Sequence, residues 1–135
     1  MTENEVNLKV KEWILGSGYT HYKGILNIGK GQVPIPTTGG REVLIDHQGF
    51  DDFAKELVWV EAKGGGDNLS ELFEGFIRVV AACYYGGGKG ILAIPDTEYE
   101  KIIQHKVFLA QIARAAEREM GVLNVESGEL AHLNG

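Results

Sequence analysis

Two charged side chains stand at the end of an otherwise apolar segment, residues 57–63, which reads Leu-Val-Trp-Val-Glu-Ala-Lys. Its composition is that of a β-strand, and successive side chains of a strand point to opposite faces, so Glu61 and Lys63 should project from the same face. Asp46 lies in a neighbouring strand-like segment. If the two strands pair so that Asp46 lies beside Glu61, the two carboxylates and an ammonium group converge, and the backbone carbonyl of Ala62 can add a further oxygen.

These groups suit a magnesium or manganese ion. Mg²⁺ prefers oxygen ligands, keeps several of its waters and needs only one or two protein carboxylates, so we expect Asp46, Glu61 and the Ala62 carbonyl to bind it. A metal there would stabilise negative charge on a phosphodiester and lower the pKa of a bound water. Lys63 would orient that water or help to deprotonate it. The residues therefore predict metal-dependent phosphodiester hydrolysis, with Asp46, Glu61 and Lys63 as the catalytic set.

Hydrophobic spacing and glycines predict the elements before the motif. Apolar residues recur at helical spacing over residues 5–15, and the helix should end near Gly16. Aromatic and β-branched residues over 19–28 predict a strand, and the Gly/Pro/Thr-rich segment 29–40 predicts a long loop.

Two strand-like segments, residues 42–50 and 56–63, are joined by the polar residues 51–55. This pattern is typical of a hairpin, so the two strands should pair antiparallel. The pairing would place Asp46 and Glu61 on adjacent strands.

Four more elements are predicted after the hairpin: a helix over 68–85, a buried strand over 90–94, a third helix, and a strand over 122–125. The third helix should begin at a Thr97–Glu100 capping box and end at about Met120, with Val107 facing inward. The order is helix, three strands, helix, strand, helix, strand. Alternation of helices and strands in the second half predicts a mixed sheet covered by helices on both faces. We therefore expect one α/β domain over residues 1–135.

The motif residues resemble a known nuclease superfamily. Asp46 within residues 46–51, followed by the Glu-x-Lys of residues 56–64, looks like the D…(D/E)xK core of the PD-(D/E)XK, or restriction-endonuclease-like, superfamily. Its αβββαβ core is matched by the predicted elements over roughly residues 5–95. The chain is similar in this respect to archaeal Holliday-junction resolvases and Mrr-type restriction nucleases. The resemblance implies a restriction-endonuclease-like fold and Mg²⁺-dependent endonuclease activity on DNA.

The first acid of the motif departs from the family pattern. No proline precedes Asp46, and Glu42, at the start of the same predicted strand, competes with it for the role. Asp46 is preferred because an aspartate followed by two residues, a glycine and an aromatic residue resembles the acid-bearing strand of several such nucleases.

Acids on the helices are further candidates that the resemblance suggests. Members often place a glutamate of the first helix near the metal, for which Glu5 is the candidate and Glu12, seven residues on and so on nearly the same face, is the alternative. In such nucleases a polar residue early in the helix after the motif can also face the site, and Glu71 or Glu74 could serve.

Charge gives the main argument against a nuclease. Thirteen basic and nineteen acidic residues give a net charge of -6, the wrong sign for holding nucleic acid by bulk electrostatics. Carboxylates at a metal site account for part of it, because the metal cancels them. Arg78 and Lys89 are interpreted as solvated surface charges. The alternative function is therefore a catalytically inactive member of the same fold that serves as a binding or assembly module.

Other features of the sequence predict the oligomeric state, the partner and the cellular location of the protein. A nuclease that cuts both strands of a duplex needs two sites, so we expect a homodimer with DNA as its partner. The single cysteine, Cys83, cannot form an internal disulfide, and four scattered histidines give no zinc-ligand spacing. The start of the chain lacks the pattern of a signal peptide, and no apolar run is long enough to span a membrane, so we expect a cytoplasmic protein.

Overall fold

The computed structural model describes residues 1–26 and 31–134. The helices and strands of these residues are, in chain order, α1 (Glu3–Gly16), β1 (Thr20–Gly24), β2 (Val33–Pro36), β3 (Glu42–Ile45), β4 (His47–Asp51), β5 (Glu56–Ala62), α2 (Leu69–Gly86), β6 (Lys89–Ile94), α3 (Asp96–Ile103), α4 (Lys106–Ala115), β7 (Met120–Asn124) and β8 (Leu130–His132). Six strands form a mixed sheet in the order β1-β4-β5-β6-β7-β8, and β2 and β3 form a separate two-stranded sheet.

The central strands of the mixed sheet are buried on both faces, because helices cover each face. One face packs on α1 through the side chains of Val6, Val10, Ile14, Val58, Val60, Ala62, Ile91, Ala93 and Leu123. The other face packs on α2, α3 and α4 through a larger core that includes Trp59, Leu72, Phe76, Leu92, Ile102, Leu109 and Val122. The α/β class and the sheet with helices on both faces, expected from the sequence, are confirmed.

The predicted hairpin is present and aligns the candidate site. β4 and β5 pair antiparallel from His47 opposite Val60 to Asp51 opposite Glu56. β5 and β6 are parallel, and α2 makes the crossover between them. The carboxyl end of β5, where the Glu-x-Lys motif stands, therefore lies between the start of β4 and the end of β6.

Three expectations for the first half are corrected. The single strand expected over 42–50 is two strands, because the chain turns away at Asp46 and β3 pairs with β2 instead of continuing along β5. The segment expected to be a loop over 29–40 contains the strand β2. Its two prolines argued against a strand in the sequence, although proline is tolerated in an edge strand. Of the strand expected over 19–28, β1 covers Thr20–Gly24 and residues 25 and 26 form a turn, whereas residues 27 and 28 lie outside the described residues.

The second half differs in its third helix. The Thr97–Glu100 capping box is not formed, because α3 begins at Asp96, whose N–H donates to the Glu126 carboxylate at 2.7 Å. The helix expected to reach Met120 breaks near His105 into α3 and α4.

The break near His105 shifts the helical phase, so that Val107, expected to face inward, is 67% exposed. A short further strand, β8, pairs with β7 and was not predicted, because its three residues carry no clear alternation.

None of the helices in residues 1–26 and 31–134 combines the length and apolar character needed to cross a membrane.

Candidate functional site

Asp46 lies at the point where the chain passes from β3 to β4, and it is 5% exposed. Its Oδ2 accepts a hydrogen bond from the backbone N–H of Ala62 at 3.0 Å, and its Oδ1 accepts one from Nε2 of Gln32 at 2.8 Å. Its backbone carbonyl accepts from the N–H of Ile25 at 3.0 Å. The carboxylate is therefore held against the last residue of β5.

Glu61 is 2% exposed and points to the sheet face that α2 covers. Its Oε2 accepts a hydrogen bond from the guanidinium of Arg78, on α2, at 3.3 Å. Its Oε1 is buried and has no hydrogen-bond partner among the described residues. A buried carboxylate oxygen without a donor is costly, which indicates that a proton or a cation completes this site.

The two carboxylates interact strongly. The pKa of Glu61 is raised from 4.5 to about 8, first by burial and then by the negative charge of Asp46, against the opposing charge of Arg78. Once protonated, Glu61 can donate to the Asp46 side chain, which raises the pKa of Glu61 further. With a pKa of about 8, the Glu61 carboxyl holds its proton at neutral pH unless a further positive charge joins the site.

Lys63 lies on the same face as Glu61, as predicted, and its stem packs against α2. A Cβ added to Gly75 would lie 3.1 Å from Cε and 3.2 Å from Cγ of Lys63, so the glycine makes room for this side chain. Within the described part of the chain Lys63 forms no ion pair at 4.0 Å or less. Strand geometry led us to expect the Lys63 ammonium within hydrogen-bonding reach of Glu61 or of a metal-bound water. The ion pair with Glu61 is absent, and the contact with a metal-bound water stays a prediction.

The structure does not bring the helix-one acids to Asp46 and Glu61. Glu5 is exposed, and its carboxylate accepts hydrogen bonds from the N–H and hydroxyl of Thr2, which form a capping box at the start of α1. Glu12 is also exposed and lies 4.0 Å from Lys9. Helical spacing alone could not tell the sheet-facing side from the solvent side, because acidic residues occupy several positions of α1.

The remaining acid candidates are also placed by the structure. Glu42 is exposed and stands at the start of β3, so Asp46 and not Glu42 is the acid that meets β5. Glu71 forms a capping box with Asn68 at the start of α2. Glu74 is exposed and lines a cleft described below.

A buried polar network adjoins Asp46 and was not predicted. His47 is fully buried, with its Nε2 2.8 Å from Oδ1 of Asn7 on α1 and its Nδ1 2.7 Å from the hydroxyl of Tyr22. Burial lowers the pKa of His47 from 6.5 to about 4, although the charge of Asp46 opposes the shift. His47 is thus neutral at pH 7, accepts from Tyr22 and donates to Asn7, and joins the start of β4 to α1.

Gly24 explains how the chain fits so closely around Asp46. A Cβ at this position would lie 2.6 Å from the backbone oxygen of Asp46 and 3.1 Å from Cα of His47. Both are backbone atoms, so a side chain here could be accommodated only by moving the segment that carries Asp46.

Two cations assigned to the surface have structural partners. Arg78 pairs with Glu61, as described above, and Lys89 pairs with Asp51 at 2.9 Å and with Glu56 at 3.6 Å. The side chain of Lys89 is only 17% exposed. The contact of Gln32 with Asp46 was also not predicted, because Gln32 lies in a segment interpreted as a loop.

A cleft of about 860 Å³ opens beside the acid pair. Its walls are β3 and α2, and its lining residues are Gln32, Glu42, Val43, Leu44, Ser70, Phe73, Glu74, Ile77 and Arg78. Gln32 contacts Asp46 and Arg78 contacts Glu61, so the acid pair lies directly behind these two residues.

The donor set fits a magnesium-type ion. In residues 1–26 and 31–134 no group of three or more His, Cys, Asp or Glu side chains is placed to hold a metal, so an ion at Asp46 and Glu61 would have only two carboxylates. Mg²⁺ needs no more than one or two and fills its other positions with water. The N–H of Ala62 points to Asp46, and the carbonyl of a strand residue lies on the same side as its N–H, so this carbonyl is directed to the same place.

Two solved structures have a similar fold. The chain matches the crystal structure of an XisH family protein from Nostoc punctiforme PCC 73102 with a TM-score of 0.58 and 18% sequence identity, over 93% of this chain and 94% of that chain. It matches the crystal structure of an fdxN element excision controlling factor protein from Anabaena variabilis with a TM-score of 0.60 and 18% identity, over 98% of each chain. The chain shares the fold of these proteins. No protein-family model and no curated protein matches it.

Proposed function

We propose that the chain is a Mg²⁺- or Mn²⁺-dependent endonuclease that hydrolyses phosphodiester bonds of DNA. The observation that carries the proposal is the buried Oε1 of Glu61, which has no donor among the described residues and lies beside a second buried carboxylate, Asp46. Two such groups are retained in a fold core only at a cost to stability, and a divalent cation is the natural counterion for them.

Each residue has a distinct part in the proposed reaction. Asp46 and Glu61 would hold the metal, with the Ala62 carbonyl as a further oxygen ligand. A bound Mg²⁺ would stabilise charge on the phosphodiester and make a water more acidic. Lys63 supplies positive charge on the same face as Glu61 and would orient the attacking water. Hydrolysis joins the water oxygen to phosphorus and breaks one phosphorus–oxygen ester bond.

The resemblance and the comparisons support a DNA-related role. The Glu-x-Lys motif stands at the end of β5, beside an acid at the start of β4, in the αβββαβ arrangement that the PD-(D/E)XK resemblance implies. One structure with a similar fold is an excision controlling factor for the fdxN element. At 18% identity this likeness concerns the fold, so the activity is tested on this chain itself.

The experiment is a cleavage assay with duplex, branched and single-stranded DNA and with RNA, in Mg²⁺, in Mn²⁺ and in chelator. Wild-type protein should cut in either metal and not in chelator, and Glu61→Gln should not cut. Glu12→Gln is the matched control, because this carboxylate is exposed on α1 and away from β5. Cleavage in chelator, or by Glu61→Gln at the wild-type rate, would contradict the proposal.

A second candidate, a catalytically inactive binding or assembly module, is favoured by two observations. Both oxygens of Asp46 already accept hydrogen bonds, from Ala62 and Gln32, and Lys63 has no ion pair at 4.0 Å or less in the described part of the chain. Such a module would bind DNA in a salt-dependent manner without cutting it in either metal.

We also propose a homodimer, since one active site per chain cuts both strands of a duplex only by pairing. Half-exposed Phe108 on α4 offers apolar surface for such a contact. Light scattering should give twice the chain mass, and a monomer at high concentration would exclude the dimer.

A further inference from the structure

The cleft beside the acid pair has two apolar walls that face solvent. Leu44 on β3 is 44% exposed and Ile77 on α2 is 49% exposed, and half-buried Phe73 also lines the cleft. The ring of Phe73 is fixed by edge contacts with His105 and Phe108, at centroid distances of 5.6 and 5.7 Å. The cleft thus offers a prepared apolar surface of defined shape.

The charges of the cleft oppose a long polyanion. Glu42 and Glu74 both line it, and the one cation among the described lining residues, Arg78, is already paired with Glu61. Phosphate backbones are held by several unpaired basic side chains, which this lining does not provide. The cleft therefore offers a ligand apolar contact and uncharged hydrogen-bonding groups instead of unpaired cations.

We propose that the cleft receives a single unpaired nucleobase, so that the substrate of the acid pair is nucleic acid that carries an unpaired nucleotide, in a single strand or within a duplex, and not a fully paired duplex. The inference rests on the proposed function. Pockets for small ligands have volumes of about 300–1,000 Å³ and combine apolar walls with polar groups that fix the orientation of the ligand. This cleft has a volume in that range, and its described lining combines four apolar residues with Gln32, Ser70 and three charged residues. Enzymes that act on an unpaired or flipped nucleotide hold its base between aromatic and apolar side chains.

The position of the cleft fits this occupant. Gln32 and Arg78 belong both to the cleft lining and to the contacts of Asp46 and Glu61. A base between Leu44 and Ile77 would leave its own phosphate near the acid pair, where a metal would neutralise it. Only that phosphate needs a positive partner, which agrees with the scarcity of basic residues around the cleft.

The test measures binding with Ca²⁺ in place of Mg²⁺, to three fluorescent DNA probes of one sequence: a single strand, a blunt duplex and a duplex with one unpaired nucleotide. Wild-type protein should bind the single strand and the unpaired-nucleotide duplex about tenfold or more tightly than the blunt duplex, the scale of one stacked base. The salt dependence should be shallow, with a logarithmic slope of about -2 or less in magnitude, because few phosphates are contacted.

Variants then locate the binding. Ile77→Glu and Leu44→Glu should each weaken single-strand binding by about tenfold or more, and Ile77→Gln should do so less. Phe53→Glu is the control, because Phe53 is fully exposed in the β4–β5 turn and should leave binding unchanged. All of the substituted side chains reach solvent, so circular dichroism should show native folding.

The outcomes separate this inference from the proposed function. Equal affinity of the wild type for the blunt duplex and the single strand would overturn the inference. Wild-type affinity of Ile77→Glu and Leu44→Glu for DNA would also overturn it, including the case in which the cleft binds an apolar peptide instead. A wild-type protein that shows the single-strand preference but never cleaves in Mg²⁺ or Mn²⁺ would contradict the proposed nuclease and leave the base-binding cleft standing.

Discussion

The backbone N–H of Ala62 donates to Oδ2 of Asp46 at 3.0 Å, where a strand partner would normally present a backbone carbonyl. The pairing of β4 with β5 ends two positions before Ala62, at Val60 opposite His47. A side-chain carboxylate therefore continues the hydrogen bonding of the hairpin at the point where the backbone leaves it. This arrangement fixes Asp46 next to Glu61 through the sheet itself.

We predict that Asp46→Asn and Glu61→Gln each lower metal-dependent cleavage by on the order of a hundredfold or more, the effect of removing one group that stabilises transition-state charge. The fold should persist, because the amide oxygen of the substituted asparagine can still accept from Ala62 and the glutamine keeps the volume of Glu61. Single-turnover cleavage and thermal unfolding, measured on the same preparations, check both statements. Unfolding of either variant at room temperature would show that the carboxylates are structural.

Stability of the metal-free protein should fall between about pH 6.5 and pH 8, by up to roughly 2 kcal/mol. In this window the unfolded chain has an ionised Glu61, with a pKa near 4.5, whereas the folded protein holds a proton up to about pH 8. Raising the pH therefore favours the unfolded state. Below pH 6.5 the trend is opposed by His47, whose pKa of about 4 means that acid favours the unfolded chain.

Urea unfolding in chelator at several pH values measures this slope. Glu61→Gln should remove it, and Mg²⁺ should restore stability at pH 8, because a bound cation replaces the proton. A slope that survives in Glu61→Gln would assign the proton uptake to another group.

Lys63→Met should slow cleavage by on the order of a hundredfold while binding of Mn²⁺ and of DNA stays as in the wild type, the pattern of a group that acts on the transition state. Methionine retains the stem that packs against Gly75. Parallel measurement of metal binding, DNA binding and cleavage decides the point. Unchanged cleavage would leave Glu-x-Lys as an ordinary strand end.

Gly24→Ala should destabilise the protein by about 1 to 3 kcal/mol, as overpacking does, and should weaken metal binding as well. The added methyl would meet the backbone of Asp46 and His47, so relief of the clash moves the acid. Gly18→Ala is an instructive comparison: its φ of +82° costs backbone energy, but no atom lies within 4 Å of the added methyl. That variant should lose stability without losing affinity for metal.

The sequence predicted the features of the fold and the site that depend on local pattern. Glu61 and Lys63 share a face because strands alternate, and the polar turn over 51–55 identified the hairpin. It could not predict that the chain turns away from β5 at Asp46, because pairing of β3 with β2 is a choice between two partners and not a local preference. The sequence also could not reveal the roles of Asn7 and Gln32, because each forms its hydrogen bond with a residue 14 or more positions away.

The most direct test of the metal site is anomalous scattering from a crystal of the protein soaked in Mn²⁺. We expect one peak between the carboxylates of Asp46 and Glu61, about 2.0 to 2.3 Å from one oxygen of each, which requires Arg78 or Gln32 to yield part of its present contact. Crystals of Glu61→Gln soaked in the same way should lack the peak. The metal site would be contradicted if Mn²⁺ peaks appeared only elsewhere on the molecule. It would also be contradicted if wild-type crystals showed no peak and Arg78 still formed its hydrogen bond with Glu61.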